Sequence, residues 1–97
     1  MELANKQILN RFVKKHSIVL KAVERWVSKV ENAQWSHHAD LKNDFPGADY
    51  VGNNRYVFNL KGDGDRIVAI VLFIDSVMTV RWIGTHSEYD KIGYSII

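Results

Sequence analysis

The chain contains no cysteine. A disulfide framework is thereby excluded, and a domain of this size without one fits a reducing compartment, which predicts a cytoplasmic protein. Only one proline is present, Pro46. The longest apolar run, Ile67–Ile74, is eight residues, enough for a buried strand and far too short to span a membrane. Met1 is followed by Glu2 and a charged, periodic segment, so no signal peptide is predicted. Charge of one sign is also scarce, with a net value of +2.

What remains is ordinary globular material, 46% apolar and 25% charged, and residues 1–97 are expected to form one domain. The placement of charge says more than its sum. Residues 1–35 hold seven Lys/Arg against three Asp/Glu, whereas the rest is slightly acidic or balanced. A basic helical half suits contact with RNA phosphates, but charge alone favours a solvated helix face.

Asn5 is placed to cap a helix from Lys6, with Ile8, Leu9 and Phe12 at helical spacing. His16-Ser17 interrupts it. Val19, Leu20, Val23, Trp26, Val27 and Val30 then occupy one arc of a second helix, with charged residues around the remainder. The short connection predicts an antiparallel helical pair. Ser36 is positioned to cap a third, short helix over His37–Asp44, which Pro46-Gly47 ends.

After the turn residues Gly52-Asn53-Asn54 the period changes from helical to two. Tyr56, Phe58 and Leu60 share one face; Arg55, Val57, Asn59 and Lys61 share the other. Gly62–Asp65 reads as a hairpin turn. Arg66–Ile74 is β-branched and apolar on both faces, as in a central strand. In the last strand, alternation puts Met78, Val80 and Trp82 on one side and Thr79, Arg81 and Ile83 on the other, with Gly84 as the stop. Thr85 and Glu88 fit a capping box for a closing helix to about Ile92. The expected architecture is α+β: two N-terminal helices packed on a small antiparallel sheet, a three-stranded meander with Met1–Ala4 as an optional short N-terminal strand, and a short C-terminal helix.

No nucleophile elbow, Walker loop or zinc pattern is present. His37 and His38 are adjacent rather than i, i+4, so a metal site is not expected there. One constellation is left. Arg55, Asn59 and Lys61 share a strand face, Arg66 opens the next strand, Arg81 lies near the end of the last, and His86 and Tyr89 are i, i+3 on the closing helix. His86 would also sit in a first helical turn, where free N–H groups suit a phosphate. Such a set fits RNA strand cleavage, in which the 2′-hydroxyl attacks the neighbouring phosphorus and the 5′-oxygen leaves. That reaction needs proton removal, proton donation and cationic relief of charge on the phosphoryl oxygens. Neither metal nor cofactor is required. A surface role for Arg81 and a core role for Tyr89 fit the pattern too.

Longer motifs sharpen this reading. Phe45-Pro46, Tyr50–Gly62 with its core GNNRYVFNLKG, Arg66-Ile67-Val68 and Gly84–Ile92 (GTHSEYDKI), together with the N-terminal helical pair and Trp35-Ser36, resemble the HigB toxin family over nearly the whole chain. The resemblance implies the RelE/ParE superfold and an mRNA interferase, an endoribonuclease that cuts messages, in many members only on the translating ribosome. It implies a HigA-type helix-turn-helix antitoxin as partner, with operator DNA reached only through the toxin–antitoxin complex. By position, Arg66, Arg81, His86 and Tyr89 match the catalytic or phosphate-binding places of that superfold. The two arginines would take phosphate charge, His86 or Tyr89 the protons, with base stacking as an alternative for Tyr89. Arg55, Asn59, Lys61 and Lys91 are the expected RNA-binding residues. Two other readings stand beside this one: a ParE-like inhibitor of DNA gyrase without nuclease activity, and a decayed toxin that retains only antitoxin binding. Trp26 and Trp35 are expected to pack, and Glu88 to cap.

Overall fold

The computed structural model describes residues 1–60, 64–93 and 97. In chain order the elements are β1 (Glu2–Ala4), α1 (Gln7–Lys15), a single 3₁₀ turn (Ser17–Val19), α2 (Leu20–Glu31), α3 (His38–Asp44), β2 (Asp49–Gly52), β3 (Arg55–Leu60), β4 (Asp65–Leu72), β5 (Val77–Thr85) and α4 (His86–Tyr89). The strands form one sheet in the order β1-β5-β4-β3-β2, mixed rather than antiparallel because β1 runs parallel to β5. The expected three-stranded meander is therefore the centre of a five-stranded sheet.

Of the two added strands, β1 is the optional N-terminal strand expected at Met1–Ala4, whereas β2 escaped the pattern. β1 has three residues, and only Leu3 is buried; it is fixed by pairing Glu2, Leu3 and Ala4 with Val77, Met78 and Thr79, more than seventy residues away. β2 is an outer strand whose Asp49 and Tyr50 face water, so it shows no period-two burial. It pairs with β3 through the tight turn at Gly52, Asn53 and Asn54, all at positive φ (92°, 51° and 62°), a conformation that glycine and asparagine tolerate best.

The helices cover one face. Val19, Val23, Trp26 and Val30 are buried, following the expected arc, whereas Leu20 is 43% exposed. Helix α1 packs against β5, and α2 against β1 and β3. Beneath them lie Tyr56, Phe58 and Leu60 of β3, Ile67, Ala69 and Val71 of β4, and Met78, Val80 and Ile83 of β5. Trp26 meets Phe58 edge-on at 5.3 Å, and Trp35 packs edge-on against Phe45 at 5.8 Å while its indole N–H donates to Asp44 Oδ2 at 2.8 Å. Both tryptophans therefore serve packing.

Two local expectations are corrected. Asn5 is not a helix cap: it takes φ 69°, and its side-chain amide donates to the Val80 carbonyl at 2.8 Å, tying the chain before α1 to β5. Helix α3 is entered at His37 rather than Ser36, and the Asp40 carboxylate accepts from the backbone N–H groups of Ser36 and His37 at 2.8 and 3.3 Å. Among the described residues no helix is long and apolar enough to cross a membrane.

Candidate active site

The face of the sheet away from α1 and α2 carries the site residues. Cross-strand register places Asn59 opposite Arg66 and Arg66 opposite Gly84, so these three form one row across β3, β4 and β5. The next row holds Val57, Val68 and Trp82. Trp82 stands there because β5 is bulged. Val68 pairs with Trp82 and Ala69 with Val80, which leaves Arg81 as the extra residue. A one-residue slip inverts every side chain beyond it. The alternation expected for β5 is thus broken: Trp82 joins Thr79 and Gly84 on the open face, and Ile83 turns into the core at 8% exposure.

Gly84 is required by this packing. A Cβ there would lie 2.4 Å from Trp82 Cζ2 and 2.9 Å from Glu88 Oε1. The indole therefore lies over the Gly84 backbone, and Tyr89 sits beside it with ring centroids 6.2 Å apart. The Arg66 guanidinium carbon rests 4.7 Å from the Tyr89 ring centroid. Trp82, Tyr89 and Arg66 thus form one contiguous cluster, the two rings tilted at 51°. Gly84→Ala must displace the indole and, through it, Tyr89. We expect that variant to fold and to lose activity about tenfold or more, the scale on which small misplacements act on catalysis. Wild-type activity in a folded Gly84→Ala protein would show that the cluster does not position the site.

Arg66 combines confinement with an unmet donor. Its Nε is buried and, among the described residues, finds no hydrogen-bond acceptor. The contact with the Tyr89 ring uses none of the guanidinium N–H groups.

The turn into α4 is set by the expected capping box. Glu88 N–H donates to Thr85 Oγ1 at 3.2 Å, while Glu88 Oε1 accepts from Thr85 N–H at 2.9 Å and Thr85 Oγ1 at 3.1 Å. The Thr85 backbone bond, then its hydroxyl bond, hold the Glu88 carboxyl below its ordinary value, with His16 and Lys91 adding positive charge. A depressed folded-state pKa contributes stability above the unfolded value that is lost as pH falls through the folded one. The cap is therefore complete at neutral pH and opens only in acid, below the ordinary value of 4.5. An NMR titration of Glu88 should show a midpoint below 4.5, and Thr85→Val, which keeps the backbone donor, should return it part of the way.

Helix α4 is a single turn, and its first N–H groups are not free as expected. His86 N–H donates to the Gly64 carbonyl at 3.0 Å. The His86 ring is about half exposed and its Nε2 lies 3.8 Å from Asp90 Oδ2. His86 and Tyr89 project from the same turn, as their spacing predicts.

Of the expected catalytic residues, the structure brings Arg66 and Tyr89 into contact and puts His86 beside Tyr89. Arg81 stands apart in register. It is exposed on the bulge, three residues or about 10 Å of strand from the residue that faces Arg66. Of the expected RNA-binding residues, Asn59 adjoins Arg66 and is exposed, and Lys91 follows α4 in the open. Arg55 is already engaged. Its Nη2 and Nε donate to the Ile97 main-chain oxygen at 2.8 and 3.2 Å, and Nη1 donates to the Asn53 carbonyl at 2.8 Å. Lys61 lies outside the described residues, as do Gly62 and Asp63 of the hairpin turn expected at Gly62–Asp65. Sequence reasoning missed Trp82, because only the bulge turns it to this face.

The family model described as a HigB toxin, a RelE-like toxic component of a toxin–antitoxin system, matches residues 20–92. This chain belongs to the HigB toxin family. The matched span runs from the first residue of α2 to just beyond α4, so it includes Arg66, Arg81, His86 and Tyr89. As a HigB-family toxin the protein has an antitoxin for a partner. No curated protein matches the chain. Among the described residues, no group of three or more His, Cys, Asp or Glu side chains could hold a metal ion.

Proposed function

We propose that this HigB-family toxin is an mRNA interferase, cutting messages on the translating ribosome until a HigA-type antitoxin binds it. The observation that carries the reading is the Arg66 guanidinium over the Tyr89 ring, its Nε without a partner among the described residues, one helical turn from His86.

In the reaction the 2′-oxygen of one nucleotide forms a bond to the adjacent phosphorus, and the bond to the 5′-oxygen of the next breaks. The products are a 2′,3′-cyclic phosphate end and a 5′-hydroxyl end. The 2′-proton must leave and the 5′-oxygen must gain one, while negative charge collects on the non-bridging oxygens. Arg66 meets that charge. A guanidinium suits the task because it presents several donors in one plane and does not lose its proton. His86 is the imidazole placed to pass a proton, with its Nε2 3.8 Å from Asp90 Oδ2. The Tyr89 ring holds Arg66 in place. From the bulge, Arg81 reaches a phosphate one step along the chain, and Asn59 and Lys91 bind the strand on either side.

Induced expression followed by mapping of message 5′ ends tests this. New ends inside coding regions are expected, and His86→Ala should suppress them. Growth arrest with intact messages would defeat the reading.

A further inference from the structure

A second cleft adjoins the site on the other side of Trp82. The C-terminal half of α1 brings Arg11, Phe12, Lys14, Lys15 and His16 against Trp82 and Ile83 of β5 and Glu88 of α4, enclosing about 500 Å³. Arg11, Lys14 and Lys15 are exposed and, among the described residues, make no ion pair or hydrogen bond. Facing them is one carboxylate, Glu88, whose Oε1 is already held by Thr85. The cleft is therefore positive. Lys14 and Lys15 in a last helical turn complement the helix dipole, and that role alone accounts for two basic residues there. It accounts neither for Arg11, a turn earlier, nor for the aromatic walls. The Phe12 and His16 rings stack at 4.1 Å and 19°, and the half-buried Trp82 indole lies across from them.

We propose that this cleft holds the RNA flanking the cleaved bond, its phosphates on Arg11, Lys14 and Lys15 and a base against Trp82. The inference rests on the nuclease reading. Cations interleaved with aromatic faces are what a single strand needs, since every nucleotide offers an anion and a flat ring. Trp82 makes the path continuous: one edge of the cleft is the same indole that neighbours Tyr89, whose ring lies under Arg66. An acidic peptide would use the lysines and leave the rings idle.

The test is binding of a short single-stranded RNA of 2′-O-methyl nucleotides, which cannot be cut, by fluorescence anisotropy over a salt series. Single-strand contacts contribute about −0.7 each to the slope of log affinity against log salt. The combined variant Arg11→Ala, Lys14→Ala, Lys15→Ala should lower the slope magnitude by about 2 and weaken binding at least about tenfold at 0.1 M salt, without a change in melting temperature. Trp82→Leu should weaken binding about tenfold at an unchanged slope. A triple variant that binds RNA with wild-type slope, while the wild type cuts messages, overturns the cleft and leaves the nuclease standing. Wild-type RNA binding in the triple variant with loss of antitoxin binding also overturns it and gives the cleft to an acidic peptide. A wild-type protein that neither binds nor cuts RNA overturns both.

Discussion

Arg66→Ala is expected to reduce message cleavage by about 10²–10³-fold, the usual cost of removing one preorganised donor to a developing oxyanion. The same substitution should leave the fold intact. The guanidinium contributes a cation–π contact of about 0.5–1 kcal/mol, and its buried, unpartnered Nε carries a desolvation cost of about the same order. These oppose one another, so the melting temperature should move by only a few degrees. Arg66→Lys should recover little, because an ammonium cannot stack on Tyr89 or present a planar fork. Tyr89→Phe separates two roles of its ring and hydroxyl: a platform survives the change, a proton donor does not. Cleavage by Arg66→Ala at the wild-type rate would remove Arg66 from the reaction and take the proposed chemistry with it.

The part of this site that was legible in the sequence was local. The Thr85–Glu88 capping box is written in four consecutive residues, and it fixes where His86 and Tyr89 emerge. Alternation in Arg55–Leu60 identified the open face and put Asn59 on it. The i, i+3 spacing of His86 and Tyr89 needed only a helical turn.

What was not legible depends on strand register. The bulge at Arg81 leaves no mark in composition, because either Trp82 or Ile83 would be acceptable inside the core. Its consequences are large: Trp82 turns to the open face beside Tyr89, and Gly84, expected to stop the strand, gives the indole room. The parallel pairing of β1 with β5 and the Arg55–Ile97 bond escape for a related reason, since each joins residues more than forty positions apart. A family resemblance supplies the identity of site residues, but not which of them touch.

The largest effect on stability is expected at Phe58, not in the site. Its ring is 1% exposed and meets Trp26 at 5.3 Å and Phe45 at 5.1 Å, both edge-on. Across the sheet it pairs with Ile67, itself fully buried. Phe58 thus joins α2, the segment after α3, and the β3–β4 pair. Truncating a core phenylalanine costs about 3–5 kcal/mol, since the surroundings collapse only partly into the hole. A domain of this size has about 5–15 kcal/mol in all. Phe58→Ala should therefore lower the melting temperature by at least about 12 °C, at about 4 °C or more per kcal/mol. Phe58→Leu, which keeps most of the volume, should cost less than about 1.5 kcal/mol. Toxicity would weaken in Phe58→Ala through lost stability and in Arg66→Ala through lost chemistry, and calorimetry tells them apart: only the first melts well below wild type. A Phe58→Ala protein melting within a few degrees of wild type would mean that the aromatic cluster is not the keystone between helices and sheet.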